Sequence, residues 1–173
     1  SDPQAAEPLT RQIRRFMVSQ AVMLALQGVP AIYVHSLFGS RNYLEGVEAT
    51  GRYRSINREK LRRAELETAL ADPDTVRARV YTTYRRLLVA RRKHSAFHPN
   101  GALRVLDLGP AVFALTRSAP DGSETLLCLH NVTGEAQEVT CSPDVAMTPL
   151  QDIVGGDVYE EETLTLAPYQ ILW

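Results

Sequence analysis

The chain reads as an α/β segment over residues 1–99 followed by a small antiparallel all-β domain over residues 100–173. Three observations predict this. Pro30–Val34 is rich in β-branched and aromatic residues without apolar/polar alternation, which suits a strand buried on both faces. Stretches of helical periodicity flank it, at Leu9–Gln27 and at about Thr75–Lys93. From Ala102 the period changes to two, with turn residues at short intervals.

Ser1–Glu7 is small, polar and proline-bearing, and reads as a linker or exposed end. Pro8 suits the first turn of a helix whose face is Ile13, Phe16, Met17, Gln20, Ala21 and Leu24. Gly28 stops that helix, and a very short connection leads into the apolar run. A strand buried on both faces needs a neighbour on each edge, and nothing else of that type lies nearby in this chain. The run therefore calls for a partner outside the chain, and the sequence reads as the tail of a larger protein.

Beyond the loop, Glu59–Ala71 has strong helix formers throughout. Asp72-Pro73 interrupts it, with Asp72 or Asp74 placed to cap the next helix. That helix carries Val76, Val80, Tyr84, Leu87 and Leu88 as its apolar stripe and arginines on the remaining faces, Arg77 among them. Pro99, Asn100 and Gly101 end the periodicity and mark the domain boundary. Strand candidates follow at Leu103–Leu108, Val112–Arg117, Thr125–Asn131, Gln137–Cys141, Leu150–Ile153, Thr163–Leu166 and Tyr169–Trp173. Pro120-Asp121-Gly122, Thr133-Gly134 and Gly155-Gly156 supply turns between them, the pattern of a small antiparallel sheet or sandwich.

Four segments carry a resemblance. GVPAIYVHSLFGSRN at Gly28–Asn42, followed by TGRYRSINREKL at Thr50–Leu61, closely resembles glycoside hydrolase family 13, the α-amylase superfamily, and most nearly its sucrose phosphorylase-like branch. LLCLHNVT and the closing LTLAPYQILW resemble, more loosely, the C-terminal β domain of the same relatives. The resemblance implies that residues 1–99 hold the last helices and eighth strand of a (β/α)8 barrel, and residues 100–173 the C-terminal β domain. It implies retaining α-glucosyl transfer in the parent protein, with a small α-glucoside and inorganic phosphate as substrates: sucrose, glucosylglycerate or a related glucoside. A hydrolase or other transglucosylase of the family is the alternative. No cofactor is implied.

Retaining transfer needs two carboxyl groups about 5 Å apart. In the family these come from earlier strands, and no acid here matches a catalytic motif, so the 173-residue chain alone is expected to be inactive, with no catalytic residue of its own. Glu45 and Glu48 read as solvated loop carboxylates, and Asp157 with Glu160–Glu162 as charged surface. What remains is the rim of a sugar site. Arg58 matches the family position at which an arginine meets the glucosyl unit, and a guanidinium suits this through several fixed donors and a permanent charge. The opposing reading pairs it with Glu59. Asn57 and Arg52 are the further substrate-binding candidates, with Arg54 and Arg41 behind them. His35 reads as a hydrogen-bonded structural histidine, and His94 and His98 as capping and turn residues with no metal signature.

The formal net charge of −1 hides an uneven distribution: residues 52–93 carry +8 and the rest −9. This admits an anion-binding face, a nucleic-acid surface or an ordinary solvated helix. The full apolar stripe on the same helix argues against nucleic acid. A stand-alone carbohydrate-binding β module is the other rival. Aromatic residues make up only 7% of the chain, and Tyr169 and Trp173 suit core packing better than an exposed sugar platform. Cys128 and Cys141 read as free buried thiols. There is no run of about 18 apolar residues and no signal-like start, so a cytoplasmic protein without membrane contact is expected. The orphan strand is expected to find its edges in the missing barrel or by self-association.

Overall fold

The structure is a computed structural model that describes residues 7–141 and 149–173. The element order is α1 (Leu9–Ala25), α2 (Val34–Leu37), α3 (Leu44–Thr50), a 3-10 turn (Tyr53–Asn57), α4 (Arg63–Ala71) and α5 (Val76–Lys93). A second 3-10 turn (Ser95–Phe97) leads to β1 (Ala102–Asp107), β2 (Val112–Ser118), β3 (Thr125–Asn131) and β4 (Gln137–Thr140). Short strands β5 (Leu150–Gln151), β6 (Val158–Tyr159), β7 (Thr163–Leu166) and β8 (Ile171–Leu172) complete the chain.

Among the described residues the contacts group these elements into two units, residues 7–30 with 86–141 and 149–173, and residues 31–85. This grouping crosses residue 99, because α1 and the last turns of α5 belong with the sheet.

In the larger unit β1-β2-β3-β8 form one antiparallel sheet, and β4-β7 and β5-β6 form two-stranded ribbons. The β2–β3 register pairs Leu115 with Cys128 and Phe113 with His130 on one face, and Ala114 with Leu129 and Val112 with Asn131 on the other. Val112, Ala114, Leu129 and Leu172 pack with Val139, Cys141, Leu164 and Leu166 of the ribbon side. On the opposite face α1 approaches β3. Both faces are covered, so β2 is buried almost throughout rather than at alternate positions.

Polar residues on the α1 side are satisfied one by one. Arg117 is fully buried, and its guanidinium donates to the carbonyls of Ala25 (2.9 Å), Leu26 (2.9 Å), His98 (2.8 Å) and Ala102 (3.3 Å). Arg91 donates to Leu24 and Gly28 carbonyls, and both guanidiniums lie over the Phe97 ring. A helix end leaves its last carbonyls without intrahelical partners and carries partial negative charge, so two cations capping α1 answer both deficits. Burial pulls both arginines below the ordinary arginine pKa, with Arg117 lowering Arg91 further. His130, also fully buried, accepts from Trp173 Nε1 (3.0 Å) at Nε2 and faces the Phe113 carbonyl (2.9 Å) with Nδ1, a pattern that fits the neutral ring. Cys128 and Cys141 are free buried thiols. Burial pushes Cys128 up to about 12 despite Arg117 and Arg91, so it stays an inert thiol.

Several expectations are corrected. No strand forms at Pro30–Val34: Tyr33 is extended, Val34 begins the one-turn helix α2, and Val29 is 82% exposed. The apolar run has no second strand to pair with in this chain, so its amides have no ladder to join. The cap of α5 is Thr75, whose Oγ1 accepts from Ala78 N (3.1 Å), while Asp72 Oδ1 instead holds the turn through Asp74 N (3.0 Å). The Glu59–Ala71 helix begins only at Arg63. Leu150–Ile153 and Tyr169–Trp173 shorten to two paired residues each, with Tyr169 in a left-handed turn (φ 55°). Among the described residues, no helix is long and apolar enough to cross a membrane.

Candidate functional site

The candidate site residues lie in the smaller unit, on the loop between α2 and α4. Gly39 turns the chain out of α2 at φ +57° and lies against Val80, so that an ideal Cβ there would sit 2.9 Å from Val80 Cγ2. α3 ends at Gly51, in the left-handed conformation that its lack of a Cβ permits. Thr50 Oγ1 donates to Gly46 O (2.6 Å) and meets Ser55 Oγ (2.9 Å), stitching α3 to the 3-10 turn. Tyr43 N donates to Ile56 O (2.7 Å), and the Tyr33 hydroxyl donates to Asn57 O (2.7 Å).

The predicted substrate-binding residues all flank this one turn. Arg52 is its N-cap, Asn57 its last residue and Arg58 its C-cap, and all three are exposed. At the 3-10 rise of about 2 Å per residue, Arg52 and Arg58 start about 12 Å apart along the backbone. Asn57 and Arg58 are therefore neighbours at one end of the turn, and Arg52 stands at the other. Arg54 is exposed on the same turn, and Arg41 is exposed beside a cleft of about 280 Å3 that Tyr43, Glu45, Glu59 and Arg77 also line.

Glu59, the acid that would tie Arg58 down, is taken by another residue. Arg77 Nη2 pairs with Glu59 Oε2 at 3.3 Å, and Arg77 Nη1 donates to Ser40 Oγ at 2.9 Å. Among the described residues no side-chain partner holds the Arg58 guanidinium. Ser40 Oγ also meets His35 Nδ1 (3.1 Å), so His35 is a hydrogen-bonded structural histidine, located in α2.

Sequence reasoning passed over Arg77 as one more surface arginine of α5. Its position three residues before Val80 put it beside the buried stripe, a signal that was available. Arg62 and Arg63 pair with Glu65 and Glu67, so part of the basic stretch is ordinary local pairing. Glu45, Glu48, Asp157 and Glu160–Glu162 are exposed. His94 Nδ1 binds Glu124 (2.6 Å), and His98 Nδ1 accepts from Asn100 N (3.1 Å). Among the described residues no three His, Cys, Asp or Glu side chains assemble into a metal-binding group.

This arrangement can present hydrogen-bond donors and positive charge to a polyhydroxylated or anionic molecule. Comparison with solved structures assigns the fold class first. The trehalulose synthase MutB from Pseudomonas mesoacidophila MX-45 superposes with a TM-score of 0.66 at 19% identity, covering 92% of this chain and 37% of the enzyme. A MutB mutant in complex with the substrate sucrose gives 0.67 at 18% identity over the same shares.

The sequence relatives are more particular. The chain is 42% identical over 172 residues to the glucosylglycerate phosphorylase of Spirochaeta thermophila and 36% identical over 173 residues to that of Allomeiothermus silvanus. It is 35% identical over 164 residues to the glucosylglycerate phosphorylase of Escherichia coli K12. These matches cover 92%, 100% and 92% of this chain, but the chain spans only 28–29% of the relatives' own length. No family model matches the chain. The resemblance read from the sequence is borne out as far as kinship goes: the chain is similar to glucosylglycerate phosphorylases in sequence and to the trehalulose synthase MutB in fold, and these relatives are enzymes.

Proposed function

We propose that the chain is the C-terminal part of a retaining α-glucosyl-transferring phosphorylase, with glucosylglycerate or a related small glucoside as donor and inorganic phosphate as acceptor. One observation carries this reading: the chain matches three glucosylglycerate phosphorylases along 92% or more of its length. The exposed Asn57-Arg58 turn, with Glu59 already engaged by Arg77, supports a sugar-facing role for Arg58. In this reading residues 1–99 end a (β/α)8 barrel and residues 100–173 form its C-terminal β domain. The reactive carboxylates belong to the barrel, and Arg58 and Asn57 bind the glucosyl unit from its rim, with Arg52 further out. The protein is cytoplasmic, as the two free buried thiols suit.

The test is phosphorolysis by the complete enzyme. Arg58→Ala lowers kcat/KM for the preferred glucoside by about a hundredfold, the cost of losing a charged hydrogen-bond donor from a sugar site. The 173-residue chain alone forms no glucose 1-phosphate. A wild-type rate in Arg58→Ala would remove Arg58 from the site, and turnover by the isolated chain would overturn the whole reading. Hydrolysis in place of phosphorolysis would favour the runner-up, a hydrolase or transglucosylase of the same family.

A further inference from the structure

We propose that Arg77 is a positioning residue that sets the loop of residues 40–59, and with it the direction in which Asn57 and Arg58 are presented. The inference rests on the sugar-facing role of Arg58 proposed above.

The loop leaves α2 at Ser40 and returns at Glu59, and one guanidinium holds both ends, through Nη1 to Ser40 Oγ (2.9 Å) and Nη2 to Glu59 Oε2 (3.3 Å). The Arg77 side chain is only 23% exposed, so this pairing is better shielded than a surface ion pair. Its carrier helix is fixed against the loop's first turn, since Val80, three residues on, fills the space beside Gly39. Within the loop, Tyr43 N to Ile56 O forms a second rung at 2.7 Å. Tyr33 then pins Asn57 O from outside at 2.7 Å.

The consequence falls on Arg58 because Glu59 is its neighbour in the chain. Once Arg77 engages Glu59, that carboxylate cannot fold back onto the Arg58 guanidinium, which stays available to a ligand. Two acceptors 19 residues apart in sequence are served at once by a planar fork, which a lysine ammonium reproduces only in part.

The experiment has two arms. In this 173-residue chain, Arg77→Met accelerates tryptic cleavage after Arg52, Arg54 and Arg58 by about tenfold or more, as the loop opens locally, while cleavage after Arg104 in β1 is unchanged. Glu59→Gln, which leaves α5 intact, moves the same cleavages in the same direction, and Arg77→Lys restores part of the protection. Unchanged loop cleavage in both Arg77→Met and Glu59→Gln overturns the inference, whatever the enzyme does.

In the complete enzyme, Arg77→Met lowers kcat/KM by about tenfold, and the Arg77→Met/Arg58→Ala pair is no worse than Arg58→Ala alone. Additive losses would mean that Arg77 acts elsewhere, which also overturns the inference. A fully active Arg58→Ala enzyme would instead sink the reading on which it rests.

Discussion

At the scale of single residues, Arg117 shows how a buried charge is tolerated without a carboxylate. Its guanidinium spends its donors on four backbone carbonyls and rests on Phe97. Those carbonyls include the last of α1, whose partial negative charge stands in for an acid. Arg117→Met keeps the apolar volume but strands several buried acceptors at once, each costing about 1–3 kcal/mol. Urea unfolding followed by Trp173 fluorescence should show a loss of at least about 3 kcal/mol. Arg117→Lys should recover only a fraction, since one ammonium cannot span the same carbonyls. A variant as stable as the parent would show that water reaches these groups.

At the scale of elements, much of the fold was legible because the deciding contacts are local or one strand away. β3 and β7 fall on the residues their alternation marks, and α1 ends within two residues of its predicted stop. Pro30–Val34 failed for the opposite reason. A doubly buried strand is defined by partners on both edges, and composition records the need without supplying the partners. The α5 cap was misplaced because Asp72, Asp74 and Thr75 are all good N-caps, and only backbone geometry chooses among them. The turn after α2 shows the same limit: a lone glycine in sequence reveals neither its sign of φ nor its neighbour. Gly39→Ala should cost about 1–2 kcal/mol through the left-handed backbone alone, with the approach to Val80 adding to it. Thermal unfolding of the variant checks this: a midpoint equal to the parent's would show that neither the left-handed backbone at residue 39 nor its approach to Val80 resists a Cβ.

At the scale of the whole molecule, the candidate site divided in the same way. Arg58, Asn57 and Arg52 could be named as candidates because a motif carries them, whereas the contacts of Arg77 join two acceptors far apart in sequence, Ser40 and Glu59, which the position of Arg77 beside the apolar stripe hints at without naming. The same long-range logic governs how the fold answers pH. His130 joins β3 to the C-terminal Trp173, and burial lowers its pKa from 6.5 to about 4, only partly offset by the Phe113 carbonyl. The folded state holds the ring neutral while the unfolded chain would protonate it below pH 6.5, so this stability is complete above that pH. It is lost as pH falls from 6.5 towards 4, by about 3 kcal/mol in all. Glu124 acts with the same sign but lower down: burial raises its pKa, yet Ala96 N, His94 and Ser95 hold it below 4.5. The two are separable. Between pH 6.5 and 5 the stability of the parent chain should fall steadily, and His130→Gln, which keeps an acceptor for Trp173 but cannot titrate, should flatten most of that slope. The chain has a single tryptophan, so Trp173 fluorescence reports the transition at the contact that titrates. An unchanged slope in His130→Gln would remove His130 as the source of the acid sensitivity.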